Sequence, residues 1–142
     1  MSIFPTRVLL ATDGSREAEL AATTAVDLAK STNSELHVVH AGEFVPTMLA
    51  QTEVEPAQLQ HEAQQLLDEQ VRRLEEAGGA VKEAHLRLGR ADEEIVDLAH
   101  DMGAGFIVMG SRGHGRMRRA LLGSVSDSVV RHAHCPVAIV RE

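Results

Sequence analysis

Apolar positions follow two alternating rhythms along the chain. Short runs dense in apolar residues occur at Val8-Leu9-Leu10-Ala11, Leu36 to Ala41, Val81 to Leu88, Phe106-Ile107-Val108-Met109 and Val137-Ala138-Ile139-Val140. Runs of this length suit strands of a parallel sheet covered on both faces. Between them the spacing turns helical. Residues 16–30 carry Ala18, Ala22, Ala25, Val26 and Ala29 on one stripe. Residues 57–76 place Leu59, Ala63, Leu66, Leu67, Val71 and Leu74 on another, opposite Glu, Gln and Arg, and end at Gly78-Gly79. Pro56 suits a first helical turn, while Thr52 with Glu55 offers a competing capping box, so two starts remain open. A third helix is predicted after Asp92-Glu93-Glu94, carrying Ile95, Leu98, Ala99 and Met102, and a fourth after Gly123-Ser124. The order β-α-β-α-β-α-β-α-β predicts a doubly wound, three-layer α/β/α sandwich with right-handed crossovers. Residues 42–55, with Phe44, Val45, Pro46, Met48 and Leu49, fit neither rhythm. They read as an irregular connection packed on the domain, with a mobile flap or partner-facing patch as the alternative.

Composition narrows the class. At 142 residues, 44% hydrophobic and 25% charged, the chain is expected to form a single globular domain spanning 1–142. Its only aromatics are Phe4, Phe44 and Phe106, and its net charge is −7. Stacking platforms and a basic footprint are therefore missing, which argues against nucleic acid as a partner. Cys135 is the only cysteine, which excludes an internal disulfide and fits a reducing compartment. The start does not resemble a signal peptide, and no run approaches the length of a membrane span. The expectation is a cytoplasmic protein without a membrane partner.

In open parallel sheets, ligands bind beyond the carboxyl ends of the strands, at the switch in strand order. Three such ends are candidates: Ala11-Thr12-Asp13-Gly14-Ser15, Val39-His40-Ala41-Gly42, and Met109-Gly110 onward. The third carries the strongest signal, reading Gly110-Ser111-Arg112-Gly113-His114-Gly115-Arg116-Met117-Arg118-Arg119 before Ala120-Leu121-Leu122-Gly123-Ser124. Glycines there let the backbone turn its N–H groups inward, and a helix start after such a nest receives anions, phosphate above all. No acidic residue occurs from Met102 through Ser126, whereas Arg112, Arg116, Arg118 and Arg119 all do. Without those arginines the chain has 10 basic against 21 acidic residues, so the positive charge is concentrated in one segment. A flexible loop with solvated arginines is the alternative. Ser124 with Asp127 fits a capping pattern, and Ser124 reads equally as a cap or a phosphate contact. Asp13 reads either as a turn residue or as an acceptor for a ribose hydroxyl or a metal. The P-loop pattern is missing, and neither lysine, Lys30 or Lys82, lies near the glycines. No G-x-G-x-x-G follows the first strand, and a response regulator would want an acidic cluster where only Asp13 stands.

The spacing Gly110-x2-Gly113-x9-Gly123-Ser124 resembles the nucleotide-binding signature of the universal stress protein family. Thr12-Asp13-Gly14-Ser15, the Leu-Leu-Gly-Ser-Val run at 121–125 and His134-Cys135-Pro136-Val137 add to a likeness covering essentially the whole chain. The resemblance implies a five-stranded parallel sheet of order 3-2-1-4-5 and the ATP-binding branch of the family, homodimeric along the last strand, Val137 to Val140. By position it implies that Asp13 holds the ribose and backbone at Ala41 meets the adenine. Gly110, Gly113, Gly123 and Ser124 would surround the phosphates, with Arg112, His114, Gly115, Arg116 and Val125 lining the loop and Ala11, Thr12 and Met109 completing the strand ends. The expected ligand is ATP, with ADP, AMP and cyclic AMP open, and Mg²⁺ as an optional companion.

Other groups read more plainly. His132, His134 and Cys135 resemble a soft metal cluster, but a helix end running into Pro136 scatters them. His37, His40 and His85 alternate with apolar residues and read as satisfied or partly exposed strand histidines, so no metal site is expected. Cys135 reads as a buried, inert thiol. Phosphoryl transfer needs a placed nucleophile and metal ligands, and the loop has one evident carboxylate nearby, Asp13. Binding that regulates dimer stability or a regulatory protein partner, with little turnover and no catalytic residue, is therefore expected. A slow Mg²⁺-dependent ATPase or phosphotransferase using the same site is the alternative.

Overall fold

A computed structural model describes residues 2–43, 55–111 and 123–141. The elements are β1 (Arg7–Thr12), α1 (Arg16–Thr32), β2 (Glu35–Glu43), α2 (Pro56–Glu76), β3 (Val81–Gly89), α3 (Ala91–Met102), β4 (Phe106–Gly110), α4 (Ser124–His132) and β5 (Val137–Val140). All five strands pair in parallel in the order β3-β2-β1-β4-β5. The sheet and its order agree with the expectation.

Strand alternation decides which residues form each half of the core. Val8, Leu10, Leu36, Val38 and Val108 face α1 and α2, meeting Ala21, Ala25, Val26, Leu67 and Leu74. Leu9, Ala11, Val39, Ile107 and Met109 face the other way, toward Ile95, Leu98, Ala99 and Val129 of α3 and α4. Because both faces are covered, β1 is buried from Val8 to Thr12, as its unbroken apolar run requires. Deleting one such side chain, as in Leu9→Ala, would cost about 2–5 kcal/mol.

The helix ends follow local chemistry. Ser15 caps α1, its Oγ accepting the Ala18 N–H at 3.2 Å. Pro56 occupies the first turn of α2 behind Glu55, which settles the open start in favour of the proline; Thr52 lies outside the described residues. Gly103 ends α3 in the left-handed region at φ 69°, its N–H returning to the Ala99 and His100 carbonyls. At α4 the cap residue is Gly123, and among the described residues no side chain caps the helix. Ser124 is therefore the first helical residue, which corrects its reading as the capping residue. The chain at 44–54, including Phe44 to Leu49, lies outside the described residues.

One irregularity matters below. The β2–β3 register shifts between Leu36↔Val81 and His37↔Glu83, so Lys82 is the extra residue of a bulge. Beyond it, Glu83, His85 and Arg87 share the sheet face of His37, Val39 and Ala41.

Candidate functional site

The switch in strand order lies between β1 and β4. The register Leu10↔Val108 brings the ends of both strands to one edge, and Thr12↔His40 sets Ala41 one residue beyond on β2. Ala11, Thr12, Asp13, Ala41, Met109 and Gly110 thus gather at that edge. Gly123, Ser124 and Val125 join them through the start of α4. Arg112, Gly113, His114, Gly115 and Arg116 lie outside the described residues, as do Arg118 and Arg119.

Ser111 is the knot that builds this edge, and sequence reasoning missed it. It is almost wholly buried. Its N–H is shared between the Val140 carbonyl and Glu17 Oε2, each at 3.0 Å, and its hydroxyl also donates to Glu17. Its carbonyl accepts the Gly123 N–H at 2.7 Å and the Ser126 Oγ–H at 2.5 Å. The chain therefore leaves β4 at Ser111 and re-enters at Gly123 through one closed neck. The segment between them, with its glycines and arginines, begins and ends at a fixed point beside β1.

Gly110 shows why this position takes no side chain. A Cβ there would stand 2.9 Å from the Glu17 Cβ, 3.1 Å from the Glu17 carbonyl carbon and 3.3 Å from the Ala18 nitrogen. The first turn of α1 presses directly on the end of β4. Glu17, a charged residue buried at 7% exposure, is the carboxylate of that contact. In the sequence it looks like one of the acidic residues that favour a helix N-terminus. No local signal separates it from Glu19; only the fold brings it to Ser111.

The first strand end is equally constrained. Asp13 Oδ1 accepts the Ser15 N–H at 2.9 Å, which forms the turn around Gly14 at φ 80°. The Thr12 hydroxyl lies on the α1/α2 face, donates to Gln70 Oε1 at 3.3 Å and accepts the Gly14 N–H at 3.4 Å. His40 is buried and donates from Nδ1 to the Thr12 carbonyl at 3.0 Å. Thr12 thus anchors the strand end with its side chain. Asp13, half-buried, stands at the sheet edge itself.

Among the described residues no side chain caps the start of α4, so its first N–H groups carry the positive end of the helix dipole toward the neck. Together the edge offers uncapped helix N–H groups, a glycine-lined strand end and one turn carboxylate.

Over residues 5–141 the chain matches the model of the universal stress protein family. It belongs to that family. A universal stress protein of Methanocaldococcus jannaschii is 31% identical over 140 residues, covering 96% of this chain and 82% of the relative. A solved universal stress protein in complex with cAMP superposes at a TM-score of 0.74 with 26% identity, covering 97% of this chain and 98% of the other. A universal stress protein from Archaeoglobus fulgidus, in complex with dAMP, does so at 0.70 with 25% identity, covering 98% and 99%.

The remaining candidates of this universal stress protein separate in space. His132 turns back on its own helix, with Nδ1 bonded to the Ser128 carbonyl at 2.8 Å, and His134 packs on His100 with ring centres 4.8 Å apart. Neither joins Cys135 in a metal-ligating cluster among the described residues. Cys135 is half-buried, and burial pushes its thiol pKa up. Of the strand histidines, His40 is hydrogen-bonded and His85 is partly exposed, as expected, whereas the buried His37 bonds through Nε2 alone. Among the described residues, His37 Nδ1 and His85 Nε2 are buried without a hydrogen-bond partner.

Proposed function

We propose that this universal stress protein is a cytoplasmic, homodimeric, single-domain regulator that binds an adenine nucleotide, ATP foremost, with little or no turnover. The observation that carries the reading is the closed neck at Ser111–Gly123, which brings the two ends of a basic, glycine-rich sequence together beside the start of α4 at the switch in strand order. Relatives in complex with cAMP and dAMP support an adenine nucleotide as the ligand. In this reading Asp13 holds the ribose and backbone at Ala41 meets the base. Gly110, Gly113, Gly123 and Ser124 surround the phosphates. Arg112, His114, Gly115, Arg116 and Val125 line the loop, and Mg²⁺ accompanies the phosphates where ATP is bound.

Low turnover follows from the carboxylates nearby. Asp13 accepts a backbone N–H, and Glu17 is committed to Ser111, so both already hold structure. Dimerisation is proposed through β5, which pairs with β4 on one side and keeps Val137, Ala138, Ile139 and Val140 only half-buried. Among the described residues no helix is long and apolar enough to cross a membrane.

The test is mass spectrometry of small molecules released on denaturing freshly purified protein, followed by calorimetric titration with ATP, ADP, AMP and cyclic AMP. A stoichiometric adenine nucleotide, and loss of its binding in Gly113→Val with the fold intact by circular dichroism, are expected. Unchanged affinity in that variant would remove the loop from the site. Steady ATP hydrolysis abolished by the same substitution would make the protein an enzyme instead. For the dimer, Ile139→Lys should sediment as a folded monomer; a persistent dimer moves the interface off β5.

A further inference from the structure

The bulge at Lys82 gathers a second constellation near the starts of β2 and β3. His37 on β2 stands opposite Glu83 on β3, with His85 two residues further along the same face. One ring nitrogen from each histidine and a Glu83 carboxylate oxygen lie within 4.8 Å of one another. The two imidazoles stack with centres 5.8 Å apart and planes inclined by 21°. α3 lies over β2 and β3 on this face.

The hydrogen bonding of the pair is incomplete in a telling way. His37 is 6% exposed. Its Nε2 meets Glu35 Oε1 at 3.0 Å, so that nitrogen carries the hydrogen and Nδ1 is left with a bare lone pair. That lone pair is buried and, among the described residues, accepts nothing. His85 Nε2 is also buried without a hydrogen bond; it lies 3.1 Å from Glu83 Oε1, but out of line. A buried polar atom without a partner is destabilising, and here two occur in neighbouring rings. A cation accepting both lone pairs would relieve that cost.

We propose that His37, His85 and Glu83 form a site for a divalent first-row transition ion of the zinc class, with Glu35 as the outer carboxylate that orients His37. Two imidazoles and one carboxylate are the donor set such ions take, and soft thiolate ligands are not required. A carboxylate on the far nitrogen of a ligating histidine is the usual second layer of such sites, fixing the tautomer that leaves the other nitrogen free to ligate. Ligands of a tetrahedral zinc, each at roughly 2.0–2.2 Å, stand about 3.5 Å apart, so the three groups must close slightly. Glu83, with its side chain 64% exposed, has room to make that move. The bound ion would staple edge strand β3 to β2. Solvent would complete the coordination.

Titration of the metal-stripped full-length protein with Co²⁺ and with Zn²⁺ tests the site. One equivalent of Co²⁺ should bind and produce visible absorption bands, displaced by Zn²⁺, and Zn²⁺ should raise Tm with the logarithm of its excess over Kd. His85→Gln and Glu83→Gln should each abolish the bands. Glu35→Gln should weaken binding about 10–100-fold while the bands survive. His134→Asn, which alters the exposed His100–His134 pair, should change nothing. Glu83 is exposed, so that variant folds even if a histidine variant does not. Absence of saturable binding at micromolar Co²⁺ overturns the proposal. So does binding that survives Glu83→Gln, or that disappears in His134→Asn.

Discussion

Gly110→Ala isolates the contact on which the loop neck depends. Two effects oppose each other. Alanine restricts the unfolded chain and, where the native backbone accepts it, stabilises by about 0.4–1 kcal/mol. Against this, the new methyl would stand 2.9 Å from the Glu17 Cβ, 3.1 Å from its carbonyl carbon and 3.3 Å from the Ala18 nitrogen. These are backbone and Cβ atoms, so no rotamer change moves them aside; α1 must shift against β4. Overpacking of this kind costs about 1–3 kcal/mol, so the steric effect wins and a net loss of about 1–2 kcal/mol is expected. Equilibrium urea unfolding reads it as a lower midpoint at unchanged slope. Because the shift also pulls Glu17 from the buried Ser111, nucleotide affinity should fall as well. A variant as stable as the parent would show that α1 does not press on the strand end, and the account of a fixed neck would fail with it.

Two further expectations rest on other elements. Gly103→Ala meets no atom within 4 Å, so its cost is the left-handed backbone alone, about 1 kcal/mol by thermal or urea unfolding; a loss above 3 kcal/mol would reveal packing that the geometry lacks. Asp92 is half-buried at the start of α3, and this desolvation raises its pKa, but the Ser128 hydroxyl at 2.8 Å, the Glu93 N–H and Arg90 outweigh it and hold the carboxyl below the usual carboxylate range. A depressed folded pKa contributes stability above the unfolded value near 3.8 that is lost as pH falls through the folded one. Ser128→Ala should therefore cost about 1 kcal/mol at pH 7, with the gap to the parent closing in acid unfolding below pH 4. A gap of constant size down to pH 2 would contradict it.

The architecture was legible from the chain because its signals are local. Uninterrupted apolar runs such as Val8 to Ala11 can be satisfied only between two layers, and the stripe from Leu59 to Leu74 only on a helix. Their alternation leaves few topologies. The glycine spacing from Gly110 to Ser124 is the local signal behind the proposed phosphate loop, since close backbone approach needs missing side chains. What ties Ser111 to α1 and to Gly123 was not readable. Glu17 and Ser111 lie 94 residues apart and look like ordinary helix-start and loop residues until the sheet order sets α1 beside β4. Ser124 carried a capping pattern, yet the cap is Gly123, because the neck fixes where α4 begins. The histidines show the same limit at a strand edge. Side chains alternate faces with period two, so a one-residue slip decides whether His85 joins His37 or turns away. The bulge at Lys82 makes that decision, and it exists only in the pairing of two strands.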